Sequence, residues 1–581
     1  MNNISYHGSH NGGLVVEKDG KILCVLEFER FLNYKNVGTC QYKTPRYIMI
    51  CLDECLKWIE REYGISEYEN CYFSNVDFIG EDFFNGQMVY HTYKSIKAKN
   101  YIHGTHHESH AYGCFYQSPF DEALIFSFDG GGDDGKFNVY LGKKGEPIKL
   151  LERVLNPTLN NPHIDYNLGF AYMVFGRYCK DINKDCLSDG NLVWPGKIMG
   201  LVSYGKPREE WLNHFIEFYK SDPDGKDGDF ELKIKSLGEK ININFDDKNE
   251  LEGETEYDLV ATSQKAFEEC FLEVAVKYFA QYPDLPVCIT GGCGLNILLN
   301  TRVKDEFNKK VFVGPNPSDC GIAVGHMLKY LKPKEPIDLT YAGVPILDKN
   351  ILAEKLLELA HVRKLMPKNN EYHAFEQWDP SILLEDLISG KIIGVVKGNS
   401  EHGPRALGNR SIICNPSFPE MKNILNAKVK NREWYRPFAP VVRLEDVSKY
   451  FELNEDARWM SFSPKVREEW REKLSSITHV DNTARVQTVT REQNEFLYNL
   501  ITEFEKKSGF GVILNTSFNI NGKPILSTYK DAIHIFNNTQ LDCLLLEDYY
   551  IRKDQFINLK KEPEEKIIEI EGVKYKLVKI E

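Results

Sequence analysis

Apolar runs that end in glycine-rich or acidic turns recur along the first half of the chain. Three of them lead into polar loops near Asp129, Gly291 and Asp319, and each predicts a strand, a loop and a following helix. Polar loops that follow the strands of an α/β sheet collect at one edge of that sheet, where ligands bind. The pattern therefore predicts an α/β fold with a mixed sheet, in which Asp129 and Asp319 lie at the same edge.

The remaining apolar pattern predicts a few further elements. Alternating apolar positions on both sides of Asp19–Gly20 predict a hairpin over residues 14–30, because Asp-Gly is a strong turn signal. The charged, turn-rich stretch 221–257 is typical of a solvated insertion, and no internal repeat is evident. The other predicted elements are a strand near 71–78, helices over 44–64 and 258–280, and a hairpin that begins at residue 567.

Chain length and composition indicate a globular protein of more than one domain. With 581 residues, of which 42% are hydrophobic and 27% charged, the chain is too long for a single core. A Pro- and Lys-rich stretch over residues 332–340 begins the expected boundary. We therefore predict a first domain over residues 1–345 and a second domain over residues 365–581.

The formal net charge of −13 argues against broad binding to nucleic acid or to an anionic membrane, since both require a basic surface. No apolar run reaches the length of a membrane span, and the start MNNISYHGSHNGG lacks a signal-peptide pattern. The 14 cysteines include no CxxC pair, which is typical of free thiols in a reducing compartment. These features together predict a cytoplasmic protein without a membrane partner.

Two histidines and two aspartates form a candidate metal site. His106 and His110 in the segment HHESH are four residues apart, so a helix places them on one face, one turn apart. With Asp129 and Asp319 they offer a mixed nitrogen and oxygen site, which suits Fe(II), Mn(II) or Zn(II) better than a thiolate site does. Two alternatives remain open: a surface pair of histidines, and Asp319 as the N-cap of the following helix.

Three glycines, Gly130, Gly131 and Gly132, follow Asp129 directly. Glycine has no Cβ, so such a turn can bring backbone N–H groups close to a phosphate. An ordinary hairpin turn is the alternative interpretation. The segment therefore provides a candidate phosphate loop beside the candidate metal site.

Basic and small polar side chains cluster in four segments of the second half, at 401–412, 428–442, 478–489 and 511–525. In a chain of negative net charge this pattern indicates anion binding, because Arg forks match phosphate or carboxylate and Ser and Asn add neutral donors. Each basic residue taken singly is also compatible with a solvated surface charge. The four segments together predict a phosphate and nucleotide pocket.

Motifs along most of the chain resemble those of the O-carbamoyltransferases of the nodulation-factor, cephamycin and tobramycin type. The most specific are HGPRALGNRS and RPFAP, and the others are HNGG, EFERF, HHESHA, FDGGGDDG, GKIMGLVSYGKP, TGGCGLNILLN, PNPSDCGIAVG, HVDNTARVQTV and LNTSFNINGKPI. The resemblance implies an N-terminal Kae1-like actin-fold (ASKHA) domain and a C-terminal YrdC-like α/β domain. In such an enzyme, carbamoyl phosphate and ATP form carbamoyl-adenylate in the C-terminal domain. The carbamoyl group is then transferred to an acceptor hydroxyl in the N-terminal domain.

The same resemblance implies roles for individual residues. His10, in HNGG, is the candidate base at the acceptor. Fe(II) or another divalent metal would be held by His106, His110, Asp129 and Asp319. Carbamoyl phosphate and the nucleotide, with Mg²⁺ accompanying ATP, would contact Arg405, Lys430, Arg436, Arg485, Asn515 and Ser517. The expected acceptors are sugars, natural products or hydroxymethylated nucleotides, and a homodimer is a further expectation.

Three motifs depart from the family pattern. The usual HDAS motif is HNGG here, so Asn11 and two glycines follow His10. Before GPRALG, His402 replaces the usual Phe, and in DNTAR, Asn482 replaces the usual Gly. These differences leave the acceptor specificity open. One alternative is a threonylcarbamoyl-type tRNA-modifying enzyme, which the acidic balance disfavours. Another is an actin-like sugar kinase, which leaves the C-terminal half unexplained. A third is an inactive actin-fold regulator that binds a ligand, which the retained candidate residues disfavour.

Overall fold

The protein is described by a computed structural model with four sheets and the helices around them. The structure describes residues 1–36, 45–74, 92–155, 166–183, 190–223, 230–246, 250–348, 363–364, 381–553, 567–570 and 573–576. The predicted α/β class with mixed sheets is confirmed. Among these residues, no helix has the length and apolar character needed to cross a membrane.

The first sheet is built from β1 (Asn2–His7), β2 (Gly13–Lys18), β3 (Lys21–Glu27), β4 (Tyr68–Ser74) and β5 (Ala98–His103). Its order is β3-β2-β1-β4-β5, with β1, β2 and β3 antiparallel and β1, β4 and β5 parallel. The predicted hairpin turns at Asp19 and Gly20, and both have positive φ, as a two-residue hairpin turn of this kind requires. The strand predicted near 71–78 begins at Tyr68 and is present as far as Ser74, and residues 75–78 lie outside the described residues.

The second sheet repeats the topology of the first. Its strands are β6 (Glu122–Phe128), β7 (Phe137–Lys143), β8 (Lys149–Arg153), β9 (Val287–Thr290) and β10 (Val311–Phe312). An antiparallel meander again leads to two strands that join the other side of its first strand in parallel. The expectation of no repeat is therefore wrong at the level of topology, because the repeat lies in strand order and direction rather than in residue identity.

The helices of the first half are α1 (Phe28–Leu32), α2 (Pro45–Tyr63), α3 (His106–Gln117), α4 (Leu168–Val174), α5 (Lys180–Asn183), α6 (Gly190–Leu201), α7 (Glu209–Lys220), α8 (Phe230–Ile241), α9 (Gly253–Gln281), α10 (Ile297–Glu306) and α11 (Ile322–Leu331). Helix α11 packs on the first sheet, α3 packs on the second, and the two helices pack against each other. Gly325 permits this close crossing, since a Cβ there would lie 1.9 Å from the carbonyl oxygen of Ser109. The crossing fixes α3 at the centre of the N-terminal half.

The stretch 221–257 contains more structure than its composition predicts. Helix α8 lies within it, and Ile234, Leu237 and Ile241 are buried in the main core. The interpretation of this stretch as a purely solvated insertion is therefore wrong. The stretch is rich in charged residues, but it contains a helix whose apolar face packs against the core.

The C-terminal half forms an eight-stranded sheet. Its strands are β11 (Arg363–Lys364), β12 (Ile393–Val396), β13 (Arg410–Cys414), β14 (Ala439–Arg443), β15 (Gln487–Val489), β16 (Val512–Ser517), β17 (Cys543–Leu546) and β18 (Tyr549–Arg552). The order is β11-β18-β17-β12-β13-β16-β14-β15, with two parallel pairs, β12 with β17 and β14 with β15. The predicted terminal hairpin is present as the antiparallel pair β19 (Ile567–Ile570) and β20 (Val573–Lys576).

The helices of this half are α12 (Ser381–Ile388), α13 (Met421–Ile424), α14 (Val447–Tyr450), α15 (Glu495–Ser508) and α16 (Tyr529–Asn538). A π-helical segment, Leu425–Lys430, continues α13 and ends at one of the predicted anion-binding residues. Buried side chains from both halves join in one continuous core. Much of the expected boundary lies outside the described residues, so the division at 345 and 365 stays a prediction.

Candidate functional site

The structure brings the four predicted metal ligands together. His106 and His110 occupy the first turns of α3, and Asp129 follows β6 directly. Asp319 begins a short 3-10 turn before α11 and does not cap that helix with its side chain, so the N-cap alternative is not what the structure contains. Strands β6, β9 and β10 are parallel neighbours, which places the Asp129 and Asp319 loops at one edge, as expected. Asp129 leads into antiparallel β7, however, and not into a helix.

The distances among the four side chains fit a metal ion. One ligand atom from each lies within 4.8 Å of those of the other three. The two Nε2 atoms of His106 and His110 are 3.2 Å apart. Nε2 of His110 is 3.6 Å from Oδ2 of Asp129 and 3.5 Å from Oδ1 of Asp319, and the corresponding distances from His106 are 3.8 and 3.7 Å. Metal–ligand bonds of about 2.0–2.2 Å separate neighbouring ligand atoms by roughly 3–3.5 Å, close to this spacing.

Opposite charges dominate the electrostatics of this four-residue cluster. Burial lowers the pKa of His110, but Asp129 and Asp319 together outweigh burial and raise it to about 9. Burial raises the pKa of Asp319, and the neighbouring histidines outweigh that effect and lower it to about 2. The two carboxylates therefore stabilise a positive charge between the imidazoles. A divalent cation can replace the protons in that position.

The second part of the FDGGGDDG segment caps the histidine helix. Asp133 Oδ1 accepts a hydrogen bond from the backbone N–H of His106 at 2.9 Å. Asp134 accepts from the N–H groups of His107 and Glu108 at 2.8 and 3.0 Å. These groups are among the free donors at a helix N-terminus, where a carboxylate is favoured. The loop thus fixes the helix that presents two ligands.

Two glycines of the candidate phosphate loop, Gly130 and Gly132, contact residues of the cluster. The N–H of Gly130 donates to the carboxylate of Asp129, whose other oxygen accepts from Gly292. A Cβ on Gly132 would lie 2.9 Å from the ring of His107 and 3.0 Å from that of His106. The phosphate-binding role of Gly130, Gly131 and Gly132 stays a prediction. The close packing of Gly132 against His106 and His107 gives an independent reason for glycine at that position.

His10 lies beside the cluster at its more open side. Its Nδ1 is 3.4 Å from Oδ2 of Asp319, and its side chain is 26% exposed. The HNGG turn joins β1 to β2, with Asn11 at φ 56°. A Cβ on Gly12 would lie 2.7 Å from the carbonyl oxygen of His7 and 2.9 Å from the ring of Phe28. Gly12, which departs from the family motif, therefore lies in a tight turn that has no room for a side chain.

In the C-terminal half, the predicted basic residues gather around an anion pocket. Burial, followed by the charge of Arg436, lowers the pKa of Arg405 to about 10. Burial and the charges of Arg405, Arg432 and Arg436 lower the pKa of Arg485 as well. Arginines that depress one another's pKa form an excess of positive charge, which an anion of several charges would offset.

The other predicted residues, Lys430, Asn515 and Ser517, lie on or beside β16. Nζ of Lys430 donates to the carbonyl and hydroxyl oxygens of Ser517 at 2.6 and 3.1 Å. Asn515 lies on the same face of β16 and donates to Ala406 and Gln487 at 3.0 and 2.6 Å. The Oδ1 atom of Asn515 is buried and has no hydrogen-bond partner among the described residues. A buried acceptor of this kind favours a bound donor.

Two small cavities, each of about 10 Å³, lie on either side of the loop before Asp319. One is lined by His110 and Asn316, and the other is lined by Arg405. Gly314 and Pro317 line both cavities. The loop before Asp319 is thus a common wall between the two parts of the candidate site.

Comparison with known proteins finds family models that match both halves of the chain. Residues 53–328 match the family model described as carbamoyltransferase N-terminus, and residues 384–553 match carbamoyltransferase C-terminus. Nodulation protein NolNO of Sinorhizobium fredii is 30% identical, over 94% of this chain and 79% of that protein. The chain belongs to the carbamoyltransferase family. As such, it is an enzyme that transfers carbamoyl groups.

Two further relatives of this carbamoyltransferase support the same family. Nodulation protein NolO of Bradyrhizobium diazoefficiens is 31% identical, over 77% of this chain and 78% of that protein. The 3'-hydroxymethylcephem-O-carbamoyltransferase of Streptomyces clavuligerus is 29% identical, over 79% of this chain and 81% of that protein. Among solved structures, nucleotide-bound HypF is 13% identical with a TM-score of 0.31, over 57% of this chain and 46% of that chain.

Sequence reasoning about this carbamoyltransferase missed a buried histidine chain behind the cluster. His7 Nδ1 is 3.0 Å from the hydroxyl oxygen of Ser74, which is 2.8 Å from Nε2 of His326. Nδ1 of His326 is in turn 2.8 Å from the hydroxyl of Ser109. Burial lowers the pKa of His7 to about 3 and keeps it neutral. No local pattern distinguishes His7 from an ordinary strand residue.

Proposed function

We propose that this carbamoyltransferase is an O-carbamoyltransferase that forms carbamoyl-adenylate at the anion pocket and transfers its carbamoyl group to a hydroxyl beside the four-residue cluster. The shared wall between the two cavities is the observation that carries this proposal. Excess cationic charge around Arg405 and Arg485 suits two phosphorylated substrates. Domains over residues 1–345 and 365–581 remain part of the proposal.

The proposed reaction balances in three steps. Carbamoyl phosphate and water give carbamate and phosphate, and carbamate then attacks the α-phosphorus of ATP and releases pyrophosphate. An acceptor hydroxyl attacks the carbonyl carbon of carbamoyl-adenylate, AMP leaves, and the hydroxyl proton is taken up by a base. Arg405, Lys430, Arg436 and Arg485 would bind the charged oxygens in the first two steps, with Mg²⁺ accompanying ATP. Asn515 and Ser517 would orient these substrates through neutral hydrogen bonds.

His106, His110, Asp129 and Asp319 would hold a divalent metal, for which Fe(II) is the first candidate. The metal would supply positive charge that stabilises the leaving adenylate phosphate. His10 would accept the proton of the acceptor hydroxyl, and its position beside Asp319 suits a base that becomes positively charged. The N–H groups of Gly130–Gly132 are candidates for contact with the adenylate phosphate.

The acceptor proposed is a small hydroxyl compound, such as a sugar or another natural product. The Streptomyces relative is named for O-carbamoylation of a hydroxymethylcephem, which supports a hydroxyl acceptor. A hydroxymethylated nucleotide and a homodimeric assembly remain secondary proposals. The net charge of −13 gives no support to a tRNA substrate.

The test combines two measurements on the full chain loaded with Fe(II) or Mn(II). With ATP, carbamoyl phosphate and Mg²⁺, pyrophosphate is released only when both substrates are present. A mass-shift screen of sugars, hydroxymethyl compounds and nucleotides then identifies an acceptor that gains one carbamoyl group while AMP is released. The proposal fails if no pyrophosphate is formed, or if pyrophosphate forms and no hydroxyl compound in the screen is carbamoylated.

A further inference from the structure

Glu27, the last residue of β3, joins the two halves of the chain. Its Oε1 accepts hydrogen bonds from Nδ2 of Asn316 at 3.2 Å and from Nδ1 of His402 at 3.0 Å. The same oxygen accepts from the backbone N–H of Gly403 at 2.6 Å. Its other oxygen, Oε2, lies 2.9 Å from Nε of Arg30. One buried carboxylate therefore bonds a loop of the N-terminal half to a loop of the C-terminal half.

These two loops carry the candidate site. Asn316 lies three residues before Asp319 and borders the cavity beside the metal cluster. Gly403 lies two residues before Arg405 and has a φ of 105°. A Cβ on Gly403 would lie 2.2 Å from the carbonyl oxygen of Pro315, so the two loops touch through their backbones. A small displacement of either loop would alter the common wall of the cavities.

Charge reinforces this junction. Burial raises the pKa of Glu27, but Arg30 and His402 outweigh burial and lower it to about 2, so the carboxylate stays ionised. Arg30 also donates from Nη2 to the carbonyl oxygen of Gly403. Oε1 of Glu401 accepts three backbone N–H groups of the same loop, those of Leu407, Asn409 and Arg410. Buried charged networks of this kind can specify one geometry even where they add little net stability.

We propose that Glu27 is a positioning residue that holds the Asp319 loop against the Arg405 loop, so that carbamoyl-adenylate stays enclosed between its formation and its use. This inference rests on the proposed function. His402, which stands where the family motif has Phe, adds a hydrogen bond to this junction in the present chain. Loosening Asn316 would open the shared wall at Gly314 and Pro317 to solvent.

An experiment without acceptor tests the inference. The metal-loaded full chain is mixed with ATP, carbamoyl phosphate and Mg²⁺, and pyrophosphate is followed by rapid quench. The parent is expected to release a burst stoichiometric with enzyme and then to turn over slowly, because the enclosed intermediate blocks the site. Glu27→Gln should keep pyrophosphate formation but raise the steady rate roughly tenfold, as the intermediate escapes and hydrolyses. Hydroxylamine in the filtrate should trap the escaped carbamoyl group as hydroxyurea.

Glu17→Gln is the matched control. Glu17 is a buried glutamate of the neighbouring strand β2, and within the described part of the chain it accepts hydrogen bonds from Asn3 and Gly20. It should show the parental burst and steady rate. If Glu27→Gln does not fold, His402→Phe removes one hydrogen bond and leaves the ion pair of Glu27 with Arg30, and a smaller rise of the steady rate is expected.

A purely structural role of Glu27 would lower the burst and the steady rate together, in proportion to the loss of folded enzyme. That result, an unchanged steady rate in a folded Glu27→Gln, or a parent without a burst, would overturn the inference. A parent that releases no pyrophosphate at all contradicts the proposed function instead. Pyrophosphate release by the parent enzyme therefore distinguishes failure of the proposed function from failure of the inference about Glu27.

Discussion

The carboxylate of Asp133 accepts a hydrogen bond from the backbone N–H of His106 at 2.9 Å. The loop that begins at Asp129 therefore also fixes the helix that presents His106 and His110. Three of the four cluster residues are positioned by one continuous stretch of structure, from the start of α3 to the end of the DGGGDDG loop. Changes within that loop should affect the cluster even where no cluster residue is altered.

Gly132→Ala should disturb the cluster without removing any of its side chains. The added Cβ would lie within about 3 Å of the rings of His106 and His107 and of the carbonyl oxygen of Gly135, so the loop must shift. Overpacking of this kind typically costs about 1–3 kcal/mol. We expect a lower melting temperature and weaker Mn(II) binding, measured by thermal unfolding and calorimetry. In Gly196→Ala the new Cβ meets nothing within 4 Å, and that helical variant should bind Mn(II) as the parent does.

Asp319→Asn should abolish stoichiometric metal binding. The substitution removes one of two carboxylates that face the imidazoles, at 3.5 Å from His110 Nε2, and leaves the shape of the side chain nearly unchanged. After reconstitution with Fe(II) or Mn(II) and desalting, elemental analysis should find metal in the parent and at least tenfold less in the variant, about 1.4 kcal/mol of binding. His534→Ala, at an exposed histidine of α16, should retain the metal. Equal metal content in Asp319→Asn and parent would contradict the ligand assignment.

The cluster was predictable from sequence because each of its residues carries a local signal. His106 and His110 have helical spacing, and Asp129 and Asp319 follow apolar strands that the α/β pattern brings to one edge. The anion pocket was recognisable in the same way, since Arg405, Lys430 and the other candidates recur beside glycines. In both cases the functional side chains lie in short segments with recognisable patterns, and folding brings those segments together.

The junction at Glu27 has no such local signal. Its partners Asn316 and His402 are 289 and 375 residues away along the chain. Glu27 is the first residue of the EFERF motif, but the motif does not show that its carboxylate is buried between two distant loops. Similarly, the repeated sheet was missed because backbone topology can be duplicated without repeated residues. Long-range hydrogen bonds and strand order become visible only when the chain is folded.

His106→Ala should separate the two half-reactions. The variant lacks a cluster residue but leaves the anion pocket intact, so pyrophosphate release from ATP and carbamoyl phosphate should stay within a few-fold of the parental value. Transfer to the acceptor found by the mass-shift screen should fall by on the order of 100-fold or more. Pyrophosphate and carbamoylated product are measured in the same reaction. Transfer at the parental rate would show that the cluster does not take part.

Arg405→Ala should block the first half-reaction. Burial and the charge of Arg436 lower the pKa of its guanidinium, and Arg405 lines one of the two small cavities beside the Asp319 loop. Removing one fixed cation from a site of developing negative charge costs on the order of 100-fold in rate. Pyrophosphate release should fall by that factor, while Mn(II) binding at the cluster should be unchanged. Arg491→Ala, at an exposed arginine, controls for loss of general positive charge, and equal losses in both variants would contradict a specific role.

Glu256→Gln should stabilise the protein in a pH-dependent way. Burial, together with the charges of Asp181 and Glu250, raises the pKa of Glu256 to about 8, although Asp181 N–H donates to it. The folded state therefore binds a proton that the unfolded state loses near its ordinary pKa of about 4.3. The stabilising contribution of this proton is complete below a pH of about 4.3 and is lost as the pH rises towards 8. Gln cannot ionise, so the variant should escape this loss, which is on the order of 2 kcal/mol after allowance for water screening. Melting temperatures at pH 5 and pH 8 should show a clearly larger gain for Glu256→Gln at pH 8, whereas Glu254→Gln, exposed on the same helix, should match the parent at both.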